Sequence, residues 1–303
     1  MKIAIIGTGA IGGYYGGLLV KGGHEVHFLL NSDFEYVSKN GLSIDSPDGS
    51  FILPKVNCWK STKDVPECNL VIICLKTTSN QLLAKILPPL LSNKPDILTL
   101  QNGLGNEEVI QKFAEGCHIF GGLCSVAVNK IAPGKIKHIN YSSILIGQYN
   151  SASISRRLKR ISDAFIKSSI DVQLSEDIIE ARWRKLCWNI PFNGLTTIHQ
   201  KDTSEIMANA ETRQHAIDSI SEVISTANAI GKPIENSFRE KMIKLTDEMA
   251  PYKPSMYVDF LAGRPMEIDT IYRKPINTAE KCGVNMPLTR KLHESLLKLQ
   301  STQ

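Results

Sequence analysis

A lysine and two asparagines recur at a four-residue spacing within the stretch WRKLCWNIPFNG, Trp183–Gly194. Lys185, Asn189 and Asn193 would lie along one stripe of a helix, where an ammonium group and two amides could hydrogen-bond a polar ligand. Pro191 interrupts the pattern, since proline lacks an N–H for the helix and crowds the carbonyl four residues earlier, so we expect a bend there. A surface helix with a chance series of polar residues is the structural alternative.

A second chemical pattern, G-x-G-x-x-G, follows the first apolar run of the chain, KIAII. The run predicts a buried parallel strand, the glycines open a predicted helix, and HEVHFLL predicts the next strand. In this β-α-β setting the motif is typical of a loop that binds a dinucleotide pyrophosphate at a helix N-terminus, although the glycines could serve only a tight turn. The candidate cofactor-binding residues in this loop are Gly7, Thr8, Gly9, Ala10, Ile11 and Gly12.

The residues that would meet the cofactor ribose leave the choice of cofactor open. NAD sites usually carry an acidic residue about 20 residues after the glycines, whereas here the second strand ends at Asn31, with Asp33 two residues later. No arginine, which would favour NADP, stands nearby, although Asn31 and Ser32 could donate hydrogen bonds to a 2′-phosphate. The residues at this strand end therefore leave the choice between NAD and NADP open.

Two polar residues end further apolar runs. NLVIICLK stops at Lys76 and DILTLQNG contains Asn102 at its end. Because ligands bind at the carboxyl ends of strands in a doubly wound sheet, we expect both residues on the same edge as the glycine loop. A solvated lysine and a turn asparagine before Gly103 are the structural alternatives.

Length and composition bound the class of protein. The chain has 303 residues, a net charge of +5 and seven cysteines, of which no two stand at C-x-x-C spacing, so neither a disulfide framework nor a metal site is predicted. We find no signal peptide, no apolar run of membrane-spanning length and no basic patch with interleaved aromatic residues. We therefore expect a cytoplasmic protein that binds a small molecule rather than nucleic acid or a membrane. The sequence leaves the oligomeric state open, a homodimer included.

The predicted elements divide the chain into two domains. Alternating strands and helices predict an α/β, Rossmann-type dinucleotide-binding domain over residues 1–174. From Ser175, the expected cap of a helix, the periodicity predicts only helices, including one over Thr203–Gly231. Further helices are expected near residues 234–250, 268–282 and 286–300. Residues 175–303 should therefore form an all-α domain that carries the substrate-binding and catalytic residues.

Five blocks, in order along the chain, resemble the ketopantoate reductase (2-dehydropantoate 2-reductase) family: GTGAIGG, CLKTTSN, LQNGLGN, ARWRKLCWNIPFNGLTTI and KPSMYVDFLAGRPMEID. The resemblance covers essentially the whole chain, and the last two blocks are far more specific than the glycine motif. It implies a Rossmann domain followed by a helical domain. It also implies NADPH-dependent reduction of 2-dehydropantoate to (R)-pantoate, on the route to pantothenate and coenzyme A.

The resemblance assigns roles to single residues. Lys185 becomes the catalytic proton donor, and Glu267 a catalytic residue close to nicotinamide and substrate. The implied cofactor contacts, besides the glycine loop and Asn31, are Lys76, Asn102, Ala127 and Glu267. The implied substrate contacts are Asn102, Lys185, Asn189, Asn193 and Ser255. The chain departs from the family at Asn31, where arginine is common, and at Thr203, where some members have a substrate-binding asparagine.

The implied reaction agrees with the chemistry of these side chains. Negative charge develops on a ketone oxygen during hydride transfer, and a positioned lysine can stabilise that charge and supply the proton. Two rival functions stay open: a reductase of another branched 2-oxo acid, and a non-catalytic sensor of nicotinamide dinucleotides. A sensor would need the glycine loop but neither Lys185 nor Glu267.

Overall fold

The computed structural model describes residues 1–302, which separate by their contacts into two compact units. The first unit combines Met1–Gln101 with Asn106–Ile178. The second combines the short segment Asn102–Gly105 with the chain from Ile179 onward. Asn102–Gly105 therefore groups with the second unit, although the residues on both sides of it belong to the first.

The first unit is built on one ten-stranded sheet. Its strands are β1 Lys2–Ile6, β2 Glu25–Leu29, β3 Leu42–Asp45, β4 Phe51–Leu53, β5 Asn57–Trp59, β6 Leu70–Ile73, β7 Asp96–Thr99, β8 Ile119–Ala132, β9 Lys135–Gln148 and β10 Val172–Ser175. They are ordered β4-β3-β9-β8-β7-β6-β1-β2-β5, and β10 pairs with β9. Pairing is parallel from β8 through β7, β6, β1 and β2 to β5, and antiparallel for β8 with β9 and β3 with β4. The predicted Rossmann-type α/β fold is confirmed, with a mixed sheet.

Both faces of β1 are buried, which explains the uninterrupted apolar sequence of this strand. Successive side chains of a strand point to opposite faces. Ile3 and Ile5 accordingly pack into the cluster that contains Phe28, whereas Ala4 and Ile6 pack into a separate cluster on the other face. The accompanying helices of this unit are α1 Ala10–Lys21, α2 Phe34–Asn40, α3 Leu83–Ile86, α4 Asn106–Gln111 and α5 Arg156–Lys167.

The second unit is helical, as predicted. Its helices are α6 Ile178–His199, α7 Thr203–Ala208, α8 Ala210–Ala229, α9 Ser237–Glu248, α10 Ser255–Leu261, α11 Lys274–Lys281 and α12 Pro287–Ser301, with a π-helical turn at Asp269–Arg273 before α11. Trp183 and Ile190 of α6 pack in one apolar core with Ile220 of α8 and Leu292 of α12. Within residues 1–302, no helix is both long and apolar enough to cross a membrane.

The expected helix start at Ser175 is wrong. Ser175 ends β10, where it is paired in parallel with Gly147 of β9, and α6 begins only at Ile178. A serine followed by acidic residues is typical of a helix start, but the ladder with β9 extends the strand through this position.

The single helix expected over Thr203–Gly231 is also wrong, because the chain breaks at Asn209. Its backbone is extended, with φ −95° and ψ 126°, and its side-chain oxygen accepts hydrogen bonds from the N–H groups of Glu211 and Thr212 at 3.0 Å. The asparagine thereby caps α8 and separates it from α7. The sequence pattern also gave no indication of β3, β4, β5 and α10, which are too short to show a clear periodicity.

Candidate active site

The carboxyl ends of four parallel strands lie in one row across the sheet. Ile6 of β1 is in register with Leu29 of β2 and with Ile73 of β6, and Ile73 is in register with Thr99 of β7. The chain therefore leaves these strands at the same edge, where ligands bind in sheets of this type. The glycine loop, Asn31 and Lys76 follow directly from this row.

The glycine loop joins β1 to the N-terminus of α1. The hydroxyl of Thr8 donates a hydrogen bond to Leu29 O at 3.0 Å, which ties the loop to the end of β2. Gly9 is the N-terminal cap of α1, and the first turn of that helix, which includes Ala10 and Ile11, contains no acidic residue. A Cβ atom on Gly9 would have no neighbouring protein atom within 4 Å. Open space at the positive end of a helix fits a pyrophosphate group.

Gly12 has a different role from Gly9. A Cβ atom on Gly12 would collide with the carbonyl oxygen of Gly7 and would lie 3.0 Å from Cγ2 of Ile5. Gly7 itself has a φ of +96°, a backbone conformation that is strained for every residue with a Cβ atom. Gly12 therefore allows α1 to pack against its own loop, whereas the space beside Gly9 is available to a ligand.

The carboxylate nearest the end of β2 is hydrogen-bonded within the protein. Asp33 is buried, and its carboxylate accepts hydrogen bonds from Lys130 Nζ at 2.9 Å and from Gly134 N at 3.2 Å. Burial raises the pKa of Asp33, but the bonds from Lys130 and Gly134 outweigh it and hold that pKa below its usual value. Asn31 and Ser32 are exposed beside it. Asn31 thus stands at the strand end without a neighbouring acid that could bind a ribose.

Lys76 is exposed at the start of the 3₁₀ helix Thr77–Leu82. The loop that carries it is held by Gln101, a residue that the sequence pattern did not indicate. Gln101 Nε2 donates hydrogen bonds to Leu75 O at 2.9 Å and to Asn80 Oδ1 at 2.7 Å. The exit of β7 thereby fixes the segment that follows β6.

Ala127 lies in β8 beyond Gly121, which is in register with Thr99 in the row of strand ends described above. It is buried and pairs with Asn140 of β9 where the register between these two strands shifts. Its role as a cofactor contact stays a prediction.

Lys185, Asn189 and Asn193 all lie on α6, which runs through Pro191 without a break. Lys185 is half-buried, and the two asparagines are 6% and 2% exposed. The side chain of Asn193 is used by the protein, since it donates to Asn189 O at 3.0 Å and accepts from Met256 N at 3.1 Å. The side-chain amide of Asn189 has no such hydrogen bond within the described residues. Asn189 therefore has its whole side-chain amide left for a ligand, whereas Asn193 uses one donor hydrogen and one acceptor lone pair within the protein.

Two further predicted residues, Ser255 and Glu267, lie on segments bonded to α6. Ser255 is half-buried at the start of α10, directly before Met256, which Asn193 holds. Glu267 is 4% exposed, and the π-helical turn after it is tied to α6 by Tyr272, whose hydroxyl donates to Ile190 O at 2.8 Å. Burial raises the pKa of Tyr272 well above its usual value, so this hydroxyl stays a donor.

Asn102 begins the segment Asn102–Gly105, which is bound by residues of the helical unit. Gly103 O accepts a hydrogen bond from Arg182 Nη1 of α6 at 3.0 Å, and Leu104 N donates to Thr270 O at 2.9 Å. Arg182 was not indicated by the sequence pattern.

Thr203, where the resemblance implies a substrate-binding asparagine in some members, is bonded within the protein. Its N–H donates to Tyr252 O at 3.0 Å, and its hydroxyl oxygen accepts from Tyr252 N at 3.1 Å. The side chain is fully buried. These bonds hold the chain before α10 and explain why a small hydroxyl residue fits here.

The two asparagines of α6 should respond differently to truncation. Asn189→Ala should raise the KM for the oxo-acid substrate while leaving thermal stability nearly unchanged. Asn193→Ala should raise that KM and also destabilise the fold by about 1–3 kcal/mol, because Met256 N loses its buried acceptor. Steady-state kinetics and thermal unfolding of both variants would check this. Unchanged substrate kinetics in Asn193→Ala would remove that residue from the site.

Known proteins match this chain over nearly its whole length. The family model "Ketopantoate reductase PanE/ApbA" matches residues 3–151, and its C-terminal counterpart matches residues 177–300. The chain is 42% identical to a 2-dehydropantoate 2-reductase of Nostoc sp., over 97% of this chain and 94% of the relative. A crystal structure of 2-dehydropantoate 2-reductase from Geobacter metallireducens superposes with a TM-score of 0.95 at 36% identity, covering 98% of this chain and 99% of that one.

The same fold also occurs in an enzyme with another name. A ternary structure of D-mandelate dehydrogenase with NADH and anilino(oxo)acetate has a TM-score of 0.91 at 23% identity, covering 100% of this chain and 99% of that one. At this identity the likeness concerns the fold alone. The two family models, by contrast, together match both units, and the chain therefore belongs to the ketopantoate reductase family of nicotinamide-dinucleotide-dependent oxidoreductases.

Proposed function

We propose that the protein reduces the ketone of 2-dehydropantoate to the hydroxyl of (R)-pantoate, with NADPH as the reductant. The observation that carries the proposal is that the residues expected to act on substrate all fall in one compact unit, on α6 or on segments in that unit. These residues are Asn102, Lys185, Asn189, Asn193, Ser255 and Glu267. Relatives named for this reaction match nearly the full chain.

In the proposed reaction NADPH, when bound, supplies a hydride to the carbonyl carbon. The ammonium group of Lys185 stabilises the negative charge that develops on the ketone oxygen and transfers its proton there, which completes the alcohol. Asn189 and Ser255 hydrogen-bond the hydroxyl and carboxylate of the substrate and orient it. Glu267 is almost fully buried. In the proposed reaction its carboxyl group lies close to the nicotinamide and the substrate.

The residues around the end of β2 support NADPH rather than NADH as the cofactor. Asp33 is engaged with Lys130, so no unpaired acid repels a 2′-phosphate at Asn31. Lys60 follows β5, whose Trp59 is in register with Leu29 of β2, so its ammonium group lies near the same strand end. Its present partner is the exposed Glu35, at 2.6 Å. Ion pairs between exposed side chains contribute little to stability, so a phosphate can compete for the lysine.

Cofactor preference is a direct test of this part of the proposal. The value of kcat/KM should be higher with NADPH than with NADH. Asn31→Arg should raise kcat/KM for NADPH by roughly tenfold, since a hydrogen bond to a charged group contributes about 1.5–3 kcal/mol when formed well. The same variant with NADH is the internal control, because NADH lacks the 2′-phosphate and should gain nothing. A wild-type preference for NADH would contradict the assignment.

A panel of 2-oxo acids would test the reaction itself. NADPH oxidation would be followed with 2-dehydropantoate, 2-oxoisovalerate, pyruvate and benzoylformate, and we expect the highest kcat/KM with 2-dehydropantoate. A higher value with another acid would assign the protein to that substrate instead. NADPH binding without turnover of any acid would favour the sensor.

A further inference from the structure

Arg182 stands out among the charged residues of the helical unit, because its side chain is only 1% exposed. Burial of a guanidinium group is costly unless its N–H groups are hydrogen-bonded. One of these bonds goes to Gly103 O at 3.0 Å. Arg184, two residues later on the same helix, is instead partly exposed and pairs with Glu180 at 2.8 Å and Glu235 at 3.1 Å. The buried arginine therefore bonds a backbone carbonyl next to Asn102, whereas its neighbour makes surface ion pairs.

The segment that receives this bond has little freedom to move. Gly103 has a φ of +81°, and a Cβ atom there would lie 2.5 Å from Thr270 O. Leu104 N donates to the same Thr270 O at 2.9 Å, and Lys274 Nζ donates to Gly105 O at 3.2 Å. Three successive residues after Asn102 are thus each held by the helical unit.

These bonds connect segments that carry different residues of the proposed site. Asn102 directly precedes Gly103, and Lys185 follows Arg182 by three residues on α6, so the two lie about one turn apart on the helix. Glu267 precedes Thr270 by the same interval. A displacement at Gly103 would therefore move Asn102 relative to both Lys185 and Glu267.

We infer that Arg182 is a positioning residue for catalysis, which sets the place of Asn102 relative to Lys185 through its bond to Gly103 O. The inference rests on the proposed roles of Lys185 and Asn102 in the reduction. A misplacement of about 1 Å in such an arrangement can cost roughly 10²-fold in rate. The effect should be much larger on kcat than on NADPH affinity, because Asn102 is only one of the expected cofactor contacts and the glycine loop belongs to the other compact unit.

The test compares Arg182→Met, Arg182→Lys and the matched control Arg184→Met. We expect kcat to fall by roughly 10²-fold in Arg182→Met, with a much smaller change in the dissociation constant for NADPH and a folded protein at the assay temperature. Arg182→Lys keeps a cationic donor of similar length and should recover part of the loss. Arg184→Met should retain wild-type kcat, because its side chain pairs with Glu180 and Glu235, which have no role in the proposed site.

Several results would overturn the inference. These are a wild-type kcat in Arg182→Met, no recovery in Arg182→Lys, an equal loss in Arg184→Met, a parallel loss of NADPH affinity, or a failure of both Arg182 variants to fold. The proposed function fails separately, if the wild-type protein reduces none of the oxo acids. An active wild type with a fully active Arg182→Met would overturn the positioning role alone.

Discussion

Replacing Lys185 by alanine should lower kcat by roughly 10²–10⁴, the range expected for the loss of a general acid. The variant should fold normally, since Lys185 is only half-buried. It should bind NADPH nearly as well as the wild type, because the glycine loop lies in the other unit. The wild-type enzyme should lose activity at high pH as the ammonium group deprotonates, and Lys185→Ala should lack that limb of the pH profile.

Lys185→Arg separates proton transfer from charge stabilisation. Arginine keeps a positive charge but does not release its proton in proteins, so the variant should remain slow if proton donation is the main role. Substantial recovery in Lys185→Arg would show that charge alone is sufficient. A Lys185→Ala variant with more than about a tenth of the wild-type kcat would lie outside the expected range and would make Glu267 the next candidate for the proton donor.

Substitutions in the glycine loop should have the second large effect, and it should differ between two positions. Gly9→Ala should keep wild-type thermal stability, because its Cβ atom meets no protein atom within 4 Å. It should weaken NADPH binding by about tenfold or more, a loss of about 1.4 kcal/mol, because the added methyl group occupies the space proposed for the pyrophosphate. Fluorescence titration with NADPH and thermal unfolding would measure the two quantities.

Gly12→Ala is the matched comparison for Gly9→Ala. Its Cβ atom would collide with Gly7 O, so α1 must shift away from the loop. Forced packing of this kind costs typically about 1–3 kcal/mol, and both stability and NADPH affinity should fall. If Gly9→Ala binds NADPH as tightly as the wild type, the pyrophosphate does not lie where we propose. If Gly12→Ala is as stable as the wild type, the packing argument is wrong.

The sequence alone determined the features that depend on neighbours along the chain. An apolar run followed by spaced glycines predicts the strand, the loop and the helix of the dinucleotide fold, because side-chain periodicity and glycine stereochemistry are local properties. The four-residue spacing of Lys185, Asn189 and Asn193 similarly predicted their common helix, which the structure confirms. Family-specific blocks along the chain identified the family that the comparisons then showed.

Only the tertiary structure decided how distant polar groups are used. Asp33 stands two residues after Asn31 in the sequence, but its carboxylate is bound by Lys130, 97 residues away. Asn193 looked equivalent to Asn189, but its side-chain oxygen accepts a hydrogen bond from Met256 N, 63 residues away. Asn102 follows a strand of the sheet, yet its segment groups with the helices, since Arg182 binds Gly103 across 79 residues of sequence. Periodicity describes which face of an element is buried, whereas these pairings depend on which elements meet in the folded chain.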